Sequence, residues 1–188
     1  MGCNNMIPVY IPLAQYPDQQ VYSSVLLSLR NQTVETEIFT FKSGGDPNIS
    51  QTHRTYNALT TASKVKNRND ARDHFLASGL PYALFQDYDC EHLINTNIED
   101  AIDFLDTFTD YGAVSFKYPI KTFDQTALHI DAGCVLWVRE CMEKVKFRGI
   151  PGQCTCALLT ADIRNTPLKD NVFFKYGCMD AKHRVRER

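Results

Sequence analysis

The sequence predicts an α/β fold with a mixed, mostly parallel central sheet flanked by helices, and three observations carry that expectation. Short apolar runs of β-type alternate with segments of helical spacing from one end to the other. No internal repeat, low-complexity tract or linker-like stretch interrupts the alternation. With 44% apolar side chains, 188 residues supply one sizeable core and not two, so residues 1–188 are expected to form a single domain.

The elements follow in order. Residues 7–13 (IPVYIPL) are short, apolar and β-rich, a buried strand. Next, Val21, Val25 and Leu29 recur at i, i+4 and i+8 with Tyr22 and Leu26 beside them, an amphipathic helix with Asp18 as its N-cap. Residues 34–41 (VETEIFTF) alternate and are β-branched, a strand that ends in the turn-rich KSGGDPN. Residues 50–66 are polar and read as irregular or partly helical. From Asn69 to Ser78, Ala71, Phe75 and Leu76 line one helix face, and Gly79 and Pro81 stop it. Residues 81–86 (PYALFQ) make a central strand that delivers Asp87-Tyr88-Asp89 past its end. Ile98, Ile102, Leu105 and Phe108 mark a helix over 97–108. Strands are expected at 112–120 and 130–138, helices at 139–147 and 154–165, and a last strand at 171–177.

Composition narrows the function. Twenty basic against 22 acidic residues give a net charge of -2, which argues against a nucleic-acid polymer as partner, since such domains carry a basic excess. A nucleotide needs only a few well-placed charges and stays admissible. No apolar run approaches the roughly 20 residues of a membrane span, so no integral membrane segment is expected. The N-terminal stretch lacks a basic region and carries prolines within its apolar part, unlike a signal peptide, so the expected location is cytoplasmic. Seven cysteines are then expected as free thiols, with disulfides reserved for a hyperthermophilic source.

Asp87 and Asp89 hold the most pointed chemistry. In an open α/β sheet, ligands sit outside the carboxyl ends of the strands. Side chains i and i+2 of an extended segment point to one side. Two carboxylates so presented share a hard cation such as Mg²⁺ or Mn²⁺, which completes its shell with water and substrate phosphates. In isolation, D-x-D is short and common, and a solvated loop is its plain alternative.

The longer segment NRNDARDHFLASGLPYALFQDYDCEH resembles the nucleotide-sugar glycosyltransferases of the GT-A fold, the family 2-like enzymes in particular. In these an Arg-Asn pair opens a helix, a small-residue turn ends it, and an apolar strand leads into Asp-x-Asp. Here the parts are Arg68-Asn69, Phe75-Leu76, Pro81 to Gln86, and Asp87-Tyr88-Asp89. Ile11-Pro12-Leu13 is similar to the family's first strand, Val21 to Gln32 to the helix after it, and HIDAGCVLWVRECMEKV (129–145) to a later Gly-containing segment. The resemblance covers roughly residues 7–183.

The resemblance implies a single GT-A, Rossmann-like nucleotide-diphospho-sugar transferase domain and a metal-dependent transfer of a hexosyl-type sugar from a nucleoside diphosphate to a hydroxyl of a glycan or protein. Asp87 and Asp89 would hold Mn²⁺ or Mg²⁺, Asp89 directly, with His183 completing the shell. Arg68 would lie near the diphosphate. Pro12, Leu13 and Ala14 would line the nucleotide cleft, Asp46 would reach the base or ribose, and Tyr88, like Tyr16, would stack near the cleft. Assembly with further copies of the chain is compatible with this reading.

One departure bears on mechanism. Inverting members use an acidic base at a helix N-terminus, where this chain has GQCTCALLTADIR, and neither Gln153 nor Thr155 is a base near neutral pH. Asp131 and Asp162 are the remaining base candidates, and inversion or retention is left open. That departure also admits a degenerate nucleotide- or glycan-binding protein of the same fold. Paired carboxylates on an α/β sheet admit a metal-dependent nucleotidyltransferase. Two lesser alternatives are a zinc site of Cys154, Cys156, Cys178 and His183 and a Cys90–His92 nucleophile.

Overall fold

A computed structural model describes residues 6–13, 19–42, 61–116, 130, 133–150, 153, 155–169, 172–174 and 178–180. The elements are β1 (Ile7–Leu13), α1 (Gln19–Arg30), β2 (Thr36–Lys42), α2 (Thr61–Ser78), β3 (Tyr82–Gln86), β4 (Cys90–His92) and α3 (Asn97–Thr107), followed by β5 (Ala113–Phe116), β6 (Cys134–Val138), α4 (Arg139–Lys144), α5 (Thr155–Arg164), β7 (Val172–Phe174) and β8 (Cys178–Asp180). Six strands form one sheet in the order β2-β1-β3-β6-β5-β7, and β4 and β8 form a second, two-stranded sheet. In the large sheet β1 is parallel to β2 and β3, β5 is parallel to β7, and β6 is antiparallel to both of its neighbours. Five strands therefore share one direction and β6 alone opposes it. This is the mixed, mostly parallel sheet expected from the sequence.

Alternation along the strands sorts the core into two faces. Ile7, Val9 and Ile11 of β1, Leu84 of β3, and Cys134 and Leu136 of β6 meet Val21, Val25 and Leu29 of α1 and Ile98, Ala101 and Leu105 of α3. Tyr10, Ala83, Phe85, Val135 and Trp137 turn the other way, to Ala71 and Phe75 of α2, Cys141 and Met142 of α4, and Leu159 and Ile163 of α5. Both faces of the sheet are covered, as a mainly parallel sheet requires.

The structure corrects two expectations. Helix α2 starts at Thr61, not Asn69, so the region read as irregular or partly helical holds the start of this helix. Two positions in its middle that meet the rest of the fold are taken by Arg68 and Arg72 rather than by apolar residues. Their stems are buried, and the Arg72 guanidinium donates through Nε to the carbonyls of Met142 (2.6 Å) and Val145 (2.7 Å). The strand at 172–174 is not the last, because β8 follows and pairs with β4. Both of these are three residues long, too short for periodicity to declare.

Gly112 marks the closest approach of α4 to the sheet. A Cβ there would meet Cys141 Sγ at 2.8 Å and its Cβ at 3.2 Å. The Cys141 side chain is itself buried, and burial pushes its thiol up to about 12, so it stays protonated and packs as a small apolar group. Gly112→Ala is expected to destabilise the protein by about 1–3 kcal/mol through overpacking. In urea denaturation, Gly112→Ala combined with Cys141→Ala should cost less than the sum of the two single changes. Strict additivity would show that this contact is not the cause.

Candidate functional site

Parallel pairing of β1 and β3 in the register Tyr10↔Phe85 sets their carboxyl ends side by side. Helix α2 crosses this face and brings its middle turns to the same place. The result is a cleft whose floor is Tyr10, Pro12, Phe85 and Gln86 and whose wall is Asn67, Arg68 and Ala71, with Asp87 at the rim. It sits where the α/β rule puts ligands.

The electrostatics centre on Arg68. Its side chain is 19% exposed, and Nη2 lies 3.7 Å from Asp87 Oδ1, a carboxylate that is 41% exposed. The guanidinium also stands 5.7 Å over the Phe147 ring. Phe147 is held by its neighbour in the helix: Asn69 Nδ2 donates to the Phe147 carbonyl (2.8 Å), and the Phe147 amide donates to Asn69 Oδ1 (2.9 Å). The Arg68-Asn69 pair thus works as a unit, Asn69 fixing the ring on which Arg68 rests. Asn67 is 4% exposed, and its Oδ1 has no hydrogen-bond partner among the described residues although it lines the cleft. A buried carbonyl oxygen left this way is costly and suits a ligand hydroxyl or N–H. On the floor, Tyr10 shares a hydrogen bond with His74 (Oη···Nδ1 2.8 Å), and burial, followed by the Glu37 charge, pushes its hydroxyl up, so it stays neutral.

Asp87 to Cys90 form a tight turn rather than the extended segment expected. The Cys90 amide donates to the Asp87 carbonyl (3.1 Å), and the Asp87 amide donates to the Gly133 carbonyl at the head of β6 (2.7 Å). The i, i+2 alternation of a strand therefore does not govern the two carboxylates. Both are half-buried on the same three-residue turn.

Of the residues singled out in the sequence, Pro12, Arg68 and Asp87 line one cleft, and Asp89 lies two residues from it along the turn. Leu13 ends β1. Tyr88 packs against the core on the α1/α3 side of the sheet, whereas the cleft lies on the α2 side. Asp162 is on α5 with both carboxylate oxygens on Arg148 (2.7 Å each). Ala14, Tyr16, Asp46, Asp131 and His183 lie outside the described residues, as does Cys154. Cys156 is half-buried on α5, and among the described residues Cys178 meets His92 and Cys134. Cys90 is fully buried with Sγ donating to the Gly133 carbonyl (3.0 Å), which leaves a Cys90–His92 nucleophile no access to substrate. Asn67 and Phe147 were not legible in the sequence as cleft residues.

The fold is that of the GT-A-type nucleotide-sugar glycosyltransferases, within the wider class of nucleotide-diphospho-sugar transferase folds. The similar structures include the mannosyltransferase PcManGT from Pyrobaculum calidifontis, solved with GDP-Man and Mn²⁺, at TM-score 0.71 and 14% identity over 93% of this chain and 56% of that one. Residues 1–349 of S. aureus TarS match at TM-score 0.66 and 15% identity over 93% of this chain and 60% of that one, and TarS has been solved with UDP and with UDP-GlcNAc. CMP:2-keto-3-deoxy-manno-octonic acid synthetase complexed with CTP matches at TM-score 0.62 and 8% identity over 97% and 95% of the two chains. The chain spans 56% of the mannosyltransferase chain, 60% of TarS residues 1–349 and 35% of the longer TarS chain. No protein-family model and no curated protein sequence matches it. No described helix is long and apolar enough to cross a membrane.

Proposed function

We propose that this chain is a metal-dependent glycosyltransferase of hexosyl type that moves a sugar from a nucleoside-diphosphate donor to a hydroxyl of a glycan or protein. The observation that carries the reading is the meeting of Arg68 and Asp87 in a cleft at the carboxyl ends of β1 and β3, with Asp89 on the same turn. The fold's relatives support it, since the mannosyltransferase holds GDP-Man with Mn²⁺ and TarS holds UDP-GlcNAc.

The residues fit a hard divalent cation. Asp87 at the cleft rim and Asp89 on the same turn are half-exposed, offer only carboxylate oxygens, and are the donor type that Mn²⁺ and Mg²⁺ take. When bound, such an ion neutralises the diphosphate and eases its departure. The chain's own residues do the rest. Arg68, held flat by Phe147, pairs with phosphate oxygens. Asn67 accepts a hydrogen bond from the nucleoside through its buried Oδ1. Pro12 and Phe85 give the base or ribose an apolar floor. Asp131 and Asp162 stay the proposed bases for an inverting reaction. If Asp162 serves, Arg148 must release it. His183 stays the proposed further metal ligand, and Ala14 and Asp46 stay proposed donor contacts, whereas Tyr88 faces the α1/α3 side of the sheet, away from the cleft.

One observation favours a second reading, a metal-dependent nucleotidyltransferase: the synthetase that holds CTP matches nearly its whole length. A thermal-shift series separates the two. With Mn²⁺ present, UDP, GDP or one of their sugars should stabilise the protein by about 2.7 kcal/mol at a hundredfold excess over Kd, and the effect should vanish in chelator. A response to nucleoside triphosphates alone would favour nucleotidyl transfer. No metal-dependent response to any nucleotide would sink the donor site.

A further inference from the structure

We propose that His92, Cys134 and Cys178 form a zinc site on the α1/α3 side of the sheet, fastening β8 to the strands that carry the acidic turn. The three residues come from three strands. Cys134 opens β6 opposite Gln86 of β3, His92 closes β4, and Cys178 opens β8 opposite His92. All are buried, with Cys178 fully so, Cys134 1% exposed and His92 6% exposed. One ligand atom from each lies within 4.8 Å of the other two.

The spacing is that of a tetrahedral centre. Zn–S bonds of about 2.3 Å and a Zn–N bond of about 2.0–2.1 Å place S···S at about 3.8 Å and S···N at about 3.5 Å. Here the two sulfurs are 3.5 Å apart and Cys178 Sγ is 3.5 Å from His92 Nδ1, the two distances such a centre needs, and Cys134 Sγ lies beside the same ring, 3.7 Å from the other nitrogen, Nε2. The ring's outer contacts choose between its nitrogens. Nε2 lies 3.0 Å from Gln86 Oε1, an acceptor, and so carries the proton. Nδ1 then holds the lone pair, which faces Cys178 and now accepts from Asn97 Nδ2 at 3.2 Å. A metal-bound histidine whose other N–H is anchored on an oxygen acceptor is the usual arrangement. Gln86 is in turn fixed, donating through Nε2 to the Cys90 carbonyl (2.6 Å), and the Phe116 ring meets the imidazole edge-on at 5.3 Å.

Ligand chemistry selects the ion. Two thiolates and an imidazole suit zinc and not the magnesium or manganese of a carboxylate site. On binding, Cys134 and Cys178 each release a proton to solvent, and two thiolates balance the dication. The fourth position falls to water. The site is separate from the donor cleft: Gln86 sends its side chain to this cluster while Asp87, the next residue, faces Arg68. Its role is to hold the β4–β8 sheet closed beneath the turn, which the strand pairing of only three residues does weakly.

The test is elemental analysis followed by cobalt substitution. Protein purified without chelator should hold one zinc per chain, and reduced, zinc-free protein given Co²⁺ should show thiolate-to-cobalt charge transfer with the intense visible bands of a tetrahedral centre. Cys134→Ser or Cys178→Ser should remove the charge-transfer band, and Asp89→Ala should leave it intact. A reduced wild-type protein that binds no zinc and gives no such band overturns the proposal. So does a band that survives both serine variants, or a Cys134–Cys178 disulfide in the protein as isolated. Should a serine variant not fold, the wild-type metal content and cobalt spectrum decide alone. An oxygen-ligated cobalt at the acidic turn gives only weak bands and no charge transfer, so failure here and failure of the donor site are told apart.

Discussion

Asp89→Ala is expected to abolish metal-dependent nucleotide binding while leaving the fold intact. Asp87 already has the Arg68 guanidinium 3.7 Å from one of its oxygens, so it serves the electrostatics of the cleft as well as any ion. Asp89, on the same turn, is the carboxylate proposed to ligate the ion directly. Losing an outer-shell partner of a bound metal typically costs about 10–100-fold in affinity, and losing a direct ligand should exceed that range. The nucleotide, bridged to the protein through the ion, should weaken with it. Stability without ligand should move by no more than about 0.5 kcal/mol, as for a half-exposed turn residue outside the core. Calorimetric titration of UDP and GDP with Mn²⁺ against both proteins measures the difference. Equal metal-dependent affinity in the variant would reject Asp89 as the ligand.

What the sequence disclosed and what it withheld follow from the reach of each signal. Strands β1 and β3 and helices α1 and α3 could be read because their burial is periodic: Val21, Val25 and Leu29 occupy one stripe, and Ile98 and Leu105 another. The beginning of α2 could not, because the polar Asn67 and Arg68 hold the buried and half-buried positions there, and the partners that Arg68 and Arg72 meet lie farther along the chain, at Asp87, Met142 and Val145. Those partners are properties of the folded chain, invisible to a local window. The same holds for the cleft. Arg68 and Asp87 were readable as chemistry at a strand end, whereas Phe147 enters through a side-chain clip from Asn69 that spans 78 positions. The Cys/His cluster shows the limit most sharply. Spacing in the sequence groups Cys154 with Cys156, but strand pairing groups Cys134 and Cys178, 44 positions apart, about His92. The turn at Asp87–Cys90 was misread for a different reason, since a strand's alternation was carried one residue past the strand's end.

Phe75→Ala should be the most damaging single core truncation on the cleft side of the molecule. Phe75 is fully buried on the inner face of α2, in the same cluster as Tyr10 of β1, Phe85 of β3, and Trp137 and Phe147. Removing a buried phenyl ring costs the lost transfer energy plus the cavity left behind, together about 3–5 kcal/mol. Against a typical total of about 5–15 kcal/mol, that is a large share of what keeps such a chain folded. Phe75 is the one large, fully buried apolar side chain of the described residues of α2, beside the small Ala71 and the partly buried Val65 and Leu76. Urea denaturation should show the unfolding free energy falling by that amount, with a lower midpoint at unchanged slope, while Leu27→Ala, 59% exposed on α1, should stay within about 0.5 kcal/mol. The loss should also reach the cleft. Asn67 and Arg68 stand two turns up the same helix, so a loosened α2 should weaken donor binding even where the variant is still folded. A Phe75→Ala protein that loses less than about 1 kcal/mol would show that α2 is docked chiefly by the Arg72 and Asn69 hydrogen bonds, and that the cleft wall rests on polar rather than apolar contacts.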